Sequence, residues 1–382
     1  MQRKHYDEDQ LAFADAVRTF IGKEISPHFL DWEAAGLTPR ELFLSAGTNG
    51  FLGLQVPERF GGGGTTDFRF NQVLGEQLAL AGTGGAALGI TLHNDICLPY
   101  FLHYCTEEQQ QRWLPGIASG ELITAIAMTE PGAGSDLAGI RTTGTQDGSD
   151  LIVNGAKTFI TNGINADLVI TAVRTSPDRH RGLTLVVLER GMPGFERGRN
   201  LDKLGQHSQD TAELSFTDVR VPAANILGEV GQGFFQLVSN LPQERLSIAL
   251  GAVASARAAL NWTIDYVRER KAFGSSLGAL QNTKFVLAEV ATEVDIAEAY
   301  IDRCVLALND GELTAEDAAK AKWWGTELQG RAIDKCLQLH GGYGFMMEYP
   351  IARAYADARV TRIYGGATEI MKEIIGRSLK LS

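Results

Sequence analysis

The feature that most constrains the fold is a block of short β-prone runs held between two long helical stretches. Residues 168–173, 183–188 and 213–216 are too short for helices and rich in β-formers, and turn residues separate them. Leu151-Ile152-Val153, Asn154-Gly155 and 157–160 read as strand, two-residue turn and strand, since Asn-Gly suits a tight hairpin. A block of about 100 such residues implies a compact barrel or sandwich. On either side the period changes to that of a helix. Leu11, Ala14, Val17 and Ile21 recur at helical spacing until Ser26-Pro27. Thr38-Pro39-Arg40-Glu41 reads as a capping box with proline in the first helical position, and Thr106-Glu107-Glu108-Gln109 repeats the device. Helical texture returns at Gly231, through an Ala- and Leu-rich run over 245–270 and a segment that Thr314-Ala315-Glu316-Asp317 opens and Gly341-Gly342 ends. The expected class is α+β, with a helical unit over 1–120, a β unit over 121–230 and a helical unit over 231–382.

Composition narrows the function. A chain of 382 residues exceeds one typical core, and 44% apolar residues suffice for several packed units. A formal charge of −11 without any basic run argues against a nucleic-acid surface, which needs clustered Lys and Arg. No apolar stretch approaches the roughly 20 residues of a membrane span. The start, Met1-Gln2-Arg3-Lys4-His5-Tyr6-Asp7-Glu8-Asp9, turns acidic at once and reads as neither signal nor transit peptide. Cys97, Cys105, Cys304 and Cys336 lie far apart and read as reduced thiols, so the expected location is the cytoplasm. The glycines at 61–64 lack the Lys-Ser/Thr of a phosphate loop and read as a flexible connection. His93, His103 and His340 have no metal-ligand spacing, and no metal site is expected.

Chemistry concentrates in Ala127-Met128-Thr129-Glu130-Pro131-Gly132-Ala133-Gly134-Ser135-Asp136. Its glycines permit close backbone approach to a ligand, and its hydroxyls can bond a flavin ring or a phosphate. A second block runs Gln338-Leu339-His340-Gly341-Gly342-Tyr343-Gly344-Phe345, followed by Glu348, Arg353 and Asp357.

Both blocks resemble acyl-CoA dehydrogenases, and the order helices, β unit, helices is that family's fold, with a C-terminal four-helix bundle. The resemblance covers nearly the whole chain. It implies FAD-dependent dehydrogenation of a saturated acyl-CoA to the trans-2-enoyl-CoA, with electron-transferring flavoprotein as electron acceptor. It places Met128, Thr129, Gly134 and Ser135 along the flavin, and Phe159, Ile160 and Thr161 on its other side. Tryptophan is common in the family where Phe159 stands. Arg270 and Phe273 match the R-x-x-F-G segment whose Arg meets the pyrophosphate, a pairing suited to a guanidinium fork. Gln281, Gln338, Gly341, Gly342, Ala367, Thr368 and Glu369 resemble further cofactor contacts. Relatives share these groups between subunits, which implies a homotetramer. The absence of a long extension after Ser382 disfavours the membrane-associated very-long-chain type.

The base is the decisive detail. Many members carry a catalytic glutamate in an I-Y-E-G segment, which here reads Ile363-Tyr364-Gly365-Gly366. Leu241-Pro242-Gln243-Glu244-Arg245-Leu246 instead resembles the long-chain and isovaleryl-type enzymes, whose base projects from a mid-chain helix. An isolated Glu-Arg is ordinarily a solvated helix surface; glutamate lost at 365 and present at 244 makes Glu244 the expected base. Glu369 ranks well below it. Pro242 starts or kinks that helix. A place in the first turn favours the Glu244 anion while an apolar pocket raises its pKa, and the sequence leaves the winner open. The implied substrate contacts are Ser135, Phe235, Pro242, Gln243, Arg245, Tyr364, Gly365 and Gly366. The Gly365 N–H, with a flavin ribose hydroxyl, would polarise the thioester carbonyl, and glycine there leaves space beside the acyl chain for longer or branched groups. Similarity over 349–357 and 370–373 favours the long-chain type. Alternatives are an acyl-CoA oxidase using oxygen and a non-catalytic flavin- or acyl-CoA-binding relative.

Overall fold

A computed structural model describes residues 3–380; Met1, Gln2, Leu381 and Ser382, the outermost positions of the first and last expected units, lie outside the described residues. The chain begins with α1 (Glu8–Phe20), closed by a reciprocal Asp7–Gln10 capping box and burying Ala14, Val17 and Phe20. Leu11 of the expected apolar stripe faces solvent. The helix runs on through a π-turn, Ile21–Ile25, up to Ser26-Pro27. Next come α2 (Phe29–Ala35) and α3 (Glu41–Thr48). The expected capping box before α3 is not made. Thr38 is buried and its hydroxyl donates to the Ser208 carbonyl at 2.9 Å, so it ties the helical unit to the β unit instead. The glycines at 61–64 are likewise no loose tether. Gly63 N donates to Gly53 O and Gly64 N to Val56 O, and a Cβ at 62 would overlap the Val56 backbone.

The unit continues through α4 (Arg69–Leu80), α5 (Gly84–Thr91), a second π-turn (Leu92–Cys97), α6 (Leu98–Tyr104) and α7 (Glu107–Ser119). Here the Thr106–Gln109 capping box forms as the sequence predicts.

The β unit comprises β1 (Thr124–Ala127), β2 (Thr143–Asp147), β3 (Asp150–Thr161), β4 (Leu168–Arg174), β5 (Leu183–Glu189), β6 (Phe195–Asn200), β7 (Thr211–Val221) and β8 (Ile226–Leu227). They form one mixed sheet in the order β6-β7-β3-β2-β4-β5-β8, with β1 parallel to β4. β4 and β5 are buried on both faces: Leu168, Ile170, Leu185 and Val187 meet the N-terminal helices, and Val169, Val173, Val186 and Leu188 meet the opposite apolar layer. The expected hairpin at Asn154-Gly155 is a correction. Both residues lie inside β3, at a bulge against β7, and the tight turn is at Gly148 and Ser149, where Asp147 pairs with Asp150. Asn154 does not turn the chain because its amide exchanges two hydrogen bonds with Asp218 on β7, at 2.9 and 3.0 Å.

The final unit packs α8 (Gly233–Glu269), α9 (Gln281–Asn309) and α10 (Ala315–His340) with α11 (Pro350–Ala358) and α12 (Thr368–Ser378). Their shared core includes Leu246, Val253, Leu260, Val294, Ile301, Leu328 and Ile351. Pro242 does not start a helix; it sits nine residues into α8. Among the described residues no helix is long and apolar enough to cross a membrane.

Candidate active site

Glu244 is the twelfth residue of α8 and is 3% exposed. That position removes any help from the helix N-terminus, so the two effects left open by the sequence are decided by burial. Desolvation raises the carboxyl to about 7, against the opposing pull of the Tyr100 hydroxyl and the Arg245 charge. Tyr100 Oη on α6 donates to Glu244 Oε1 at 2.8 Å.

The same stretch of α8 meets the loop that carries Gly365. Arg245 Nε donates to Gly365 O at 3.4 Å, and Lys322 Nζ of α10 donates to Gly366 O at 2.6 Å. Both glycines have positive φ, 63° and 102°. A Cβ at 365 would overlap Cδ1 of Ile248, one helical turn after Glu244. The space expected beside Gly365 is therefore filled by Ile248. Between α8 and the α4–α5 segment lies a cavity of about 110 Å³, with Asp95, Ser247, Ile248, Gly251 and Tyr364 among its lining residues. Gln243 does not point to a substrate; its Nε2 donates to the Asp95 carbonyl at 2.9 Å. Phe235 stands nine residues before Glu244, 46% exposed.

The Thr129 segment follows β1 and is pinned from below. Glu130 accepts from Arg141 N at 2.7 Å, Thr142 N at 2.9 Å and Lys157 Nζ at 2.8 Å, and the same ammonium donates to Met128 O at 3.1 Å. Burial opposes the Glu130 charge, yet Lys157 and the two backbone donors hold its carboxyl below the ordinary value. Burial brings Lys157 down to about 8, with Glu130 opposing. Beside this loop, Thr158 N donates to Thr129 O at 2.9 Å, and a second irregularity of β3 puts Phe159 at φ 60° with its ring 68% exposed. A strained, outward aromatic next to a pinned polar loop suits a flat ring system. Thr161 and the exposed Gly134 and Ser135 are on the same unit. Ile160 is a correction: its side chain is buried in the apolar layer of the sheet, so only its backbone is available to a ligand.

Arg270, Gln338, Gly341 and Gly342 come together in a second cavity of about 550 Å³. Among the described residues Arg270 has no ion-pair partner, and its guanidinium lies 5.4 Å from the centre of the Tyr343 ring. A Cβ at 341 or 342 would meet nothing within 4 Å, so the backbone is open to a diphosphate there. None of Met128, Thr129 or Phe159 lines this cavity, so one chain presents these two groups of residues apart. Phe273 is 95% exposed, and Gln281 begins α9 with its side chain exposed. Ala367 precedes α12; Thr368 spends its hydroxyl on Glu327 at 3.1 Å, and Glu369 is exposed. His340 is packed structure: Nδ1 bonds the Cys336 carbonyl at 2.9 Å and the ring stacks on Tyr266.

Tyr100, Ile248, Lys157 and Lys322 escaped the sequence reading. Only Ile248 carried a local signal, its i+4 relation to Glu244. The others reach the site from distant segments.

Comparison with known proteins agrees over the whole chain. Residues 7–121, 125–219 and 231–380 match the family models described as the N-terminal, middle and C-terminal domains of acyl-CoA dehydrogenase. The mitochondrial long-chain specific acyl-CoA dehydrogenase of Sus scrofa is 45% identical over 380 residues, covering 99% of this chain and 88% of that one. A crystal structure of acyl-CoA dehydrogenase from Geobacillus kaustophilus is 49% identical with a TM-score of 0.96, covering 99% and 100%. A chain in the structure of the electron transferring flavoprotein of Acidaminococcus fermentans is 32% identical with a TM-score of 0.95, both chains being covered in full.

Proposed function

The chain belongs to the acyl-CoA dehydrogenase family, whose members are FAD-dependent oxidoreductases acting on acyl-CoA, and from that premise we propose that Glu244 is its catalytic base. The observation that carries this is the buried Glu244 carboxylate, whose helix meets the Gly365 loop through the adjacent Arg245 and through Ile248 one turn on. The reaction removes a proton from Cα and hydrogen with its electron pair from Cβ, and a carbon–carbon double bond forms between them. Bound FAD supplies the two-electron acceptor. Glu244 takes the α-proton, which a carboxyl near 7 accepts and releases around neutral pH. The Gly365 N–H donates to the thioester carbonyl as charge develops on it. Arg245 and Lys322 hold the two glycine carbonyls and so fix that loop.

Met128, Thr129, Ser135, Phe159 and Thr161 flank the flavin ring, and Arg270, Gln338, Gly341 and Gly342 hold the diphosphate of a neighbouring copy. A homotetramer follows from that sharing, supported by the exposed Phe273, Phe285 and Phe345 of the last unit. Long-chain acyl groups are the preferred substrates, supported by the Sus scrofa relative, and electron-transferring flavoprotein is the acceptor, supported by the Acidaminococcus likeness. A cytoplasmic location is part of the same proposal, supported by the four free cysteines.

Anaerobic mixing of the yellow protein with butyryl-, isovaleryl- and palmitoyl-CoA tests this reading. Fastest bleaching of the flavin with palmitoyl-CoA, abolished in Glu244→Gln, is the expected result. Equal bleaching by the Gln variant would overturn the base assignment, and a preference for butyryl-CoA would overturn the chain length.

A further inference from the structure

Three hydrogen bonds tie one turn of α8 to one short stretch of the N-terminal unit. Gln243 Nε2 donates to Asp95 O at 2.9 Å, Ser247 Oγ donates to Asp95 Oδ2 at 2.6 Å, and Tyr100 Oη donates to Glu244 Oε1 at 2.8 Å. Asp95 is held from behind by Asn71 Nδ2 at 2.7 Å. The stretch is the π-turn Leu92–Cys97 running into α6, and such one-turn widenings re-aim the residues that follow. Glu244 Oε1 is thus taken. Oε2 accepts no hydrogen bond from a described residue and is absent from the fully buried orphan atoms, so it keeps accessible surface.

Resting on Glu244 as the base, we infer that Tyr100 is a positioning residue for the reaction: its phenol fixes Oε1 and leaves Oε2 as the oxygen that takes the α-proton. The Asp95 contacts fix the turn that carries the base. A phenol donating to a carboxylate favours the anion over the acid, so it also sets how basic Glu244 is. The groups facing Glu244 are few. Cys97 and Tyr100 approach from the π-turn and α6 respectively, Arg245 adjoins it on α8, and Asp95 lies beyond Gln243 and Ser247. Burial pushes the Cys97 thiol far up, which keeps it neutral, so Tyr100 and Arg245 are the groups that favour the anion.

The test uses the FAD-loaded protein with Tyr100→Phe and with 3-fluorotyrosine placed at position 100. In Tyr100→Phe the acidic limb of kcat/KM moves up by about one pH unit, kcat at pH 6.5 falls about tenfold and KM is unchanged. The fluorinated phenol, a stronger donor of nearly the same shape, moves the limb down. Infrared titration of the Glu244 carboxyl band in the resting protein shows the same two shifts without turnover. An unmoved limb and an unmoved band in both proteins would overturn the inference. If Tyr100→Phe does not fold, the fluorotyrosine protein alone decides by the sign of its shift. Glu244→Gln separates the two assignments: retained bleaching defeats the base itself, whereas lost bleaching with an unmoved Tyr100 profile defeats only the positioning role.

Discussion

Glu130 and Glu244 are both nearly sealed from water, 7% and 3% exposed, yet their carboxyls are pushed in opposite directions. Glu130, next to Thr129, has an ammonium and two backbone donors, and it is held as an anion. Glu244 has one neutral phenol, and burial wins, taking it to about 7. Burial alone therefore does not predict the state of a buried acid. The charge and number of its donors do. The first carboxylate is a fixed strut for the Met128–Thr129 backbone; the second is left able to exchange a proton.

The contrast is broken most severely at Glu244. Glu244→Gln keeps the shape and removes the proton acceptor, so the anaerobic rate of flavin bleaching falls roughly 10²- to 10⁴-fold. A rate within tenfold of the unaltered protein would make the two glutamates functionally alike. Lys157→Met strands Glu130 as an unpaired buried charge and costs about 3–5 kcal/mol in urea unfolding. A loss below 1 kcal/mol would show that the backbone donors suffice.

The pH dependence of stability sharpens the comparison because its sign differs between the two. Folded Glu244 keeps its proton between the ordinary 4.5 and about 7, where the unfolded chain has lost it. Its contribution to stability is present below 4.5 and is lost as pH rises to 7. Relative to the unaltered protein, Glu244→Gln gains about 3 kcal/mol between pH 4.5 and 8. Glu130 runs the other way: its lowered carboxyl contributes stability above the ordinary 4.5, and this is lost as pH falls. The smallest effect is at the Gly365 loop. Gly365→Ala meets a φ of 63° and the Ile248 methyl, and it lowers stability by about 1–3 kcal/mol. Calorimetry on Gly365→Ala with Ile248→Ala recovers part of that loss if the overlap is the cause.

Much of the fold was legible. The runs at 168–173 and 183–188 fall within β4 and β5, and Thr106 and Thr314 mark helix starts, because period and capping are local properties. Asn154-Gly155 misled because its turn preference was overridden by two cross-strand bonds to Asp218, 64 residues away. Thr38 misled for the same reason: a partner 170 residues distant outcompeted the local cap.

What the sequence determined by itself was the type and order of the elements, the family resemblance, and the replacement of a glutamate at 365 by one at 244. What the tertiary structure decided was the state of that glutamate and what surrounds it. Tyr100 stands 144 residues from Glu244, and Lys322 reaches Gly366 across 44. Desolvation is a property of everything packed around a group, and hydrogen-bond partners are chosen by proximity in space. No spacing along the chain encodes either.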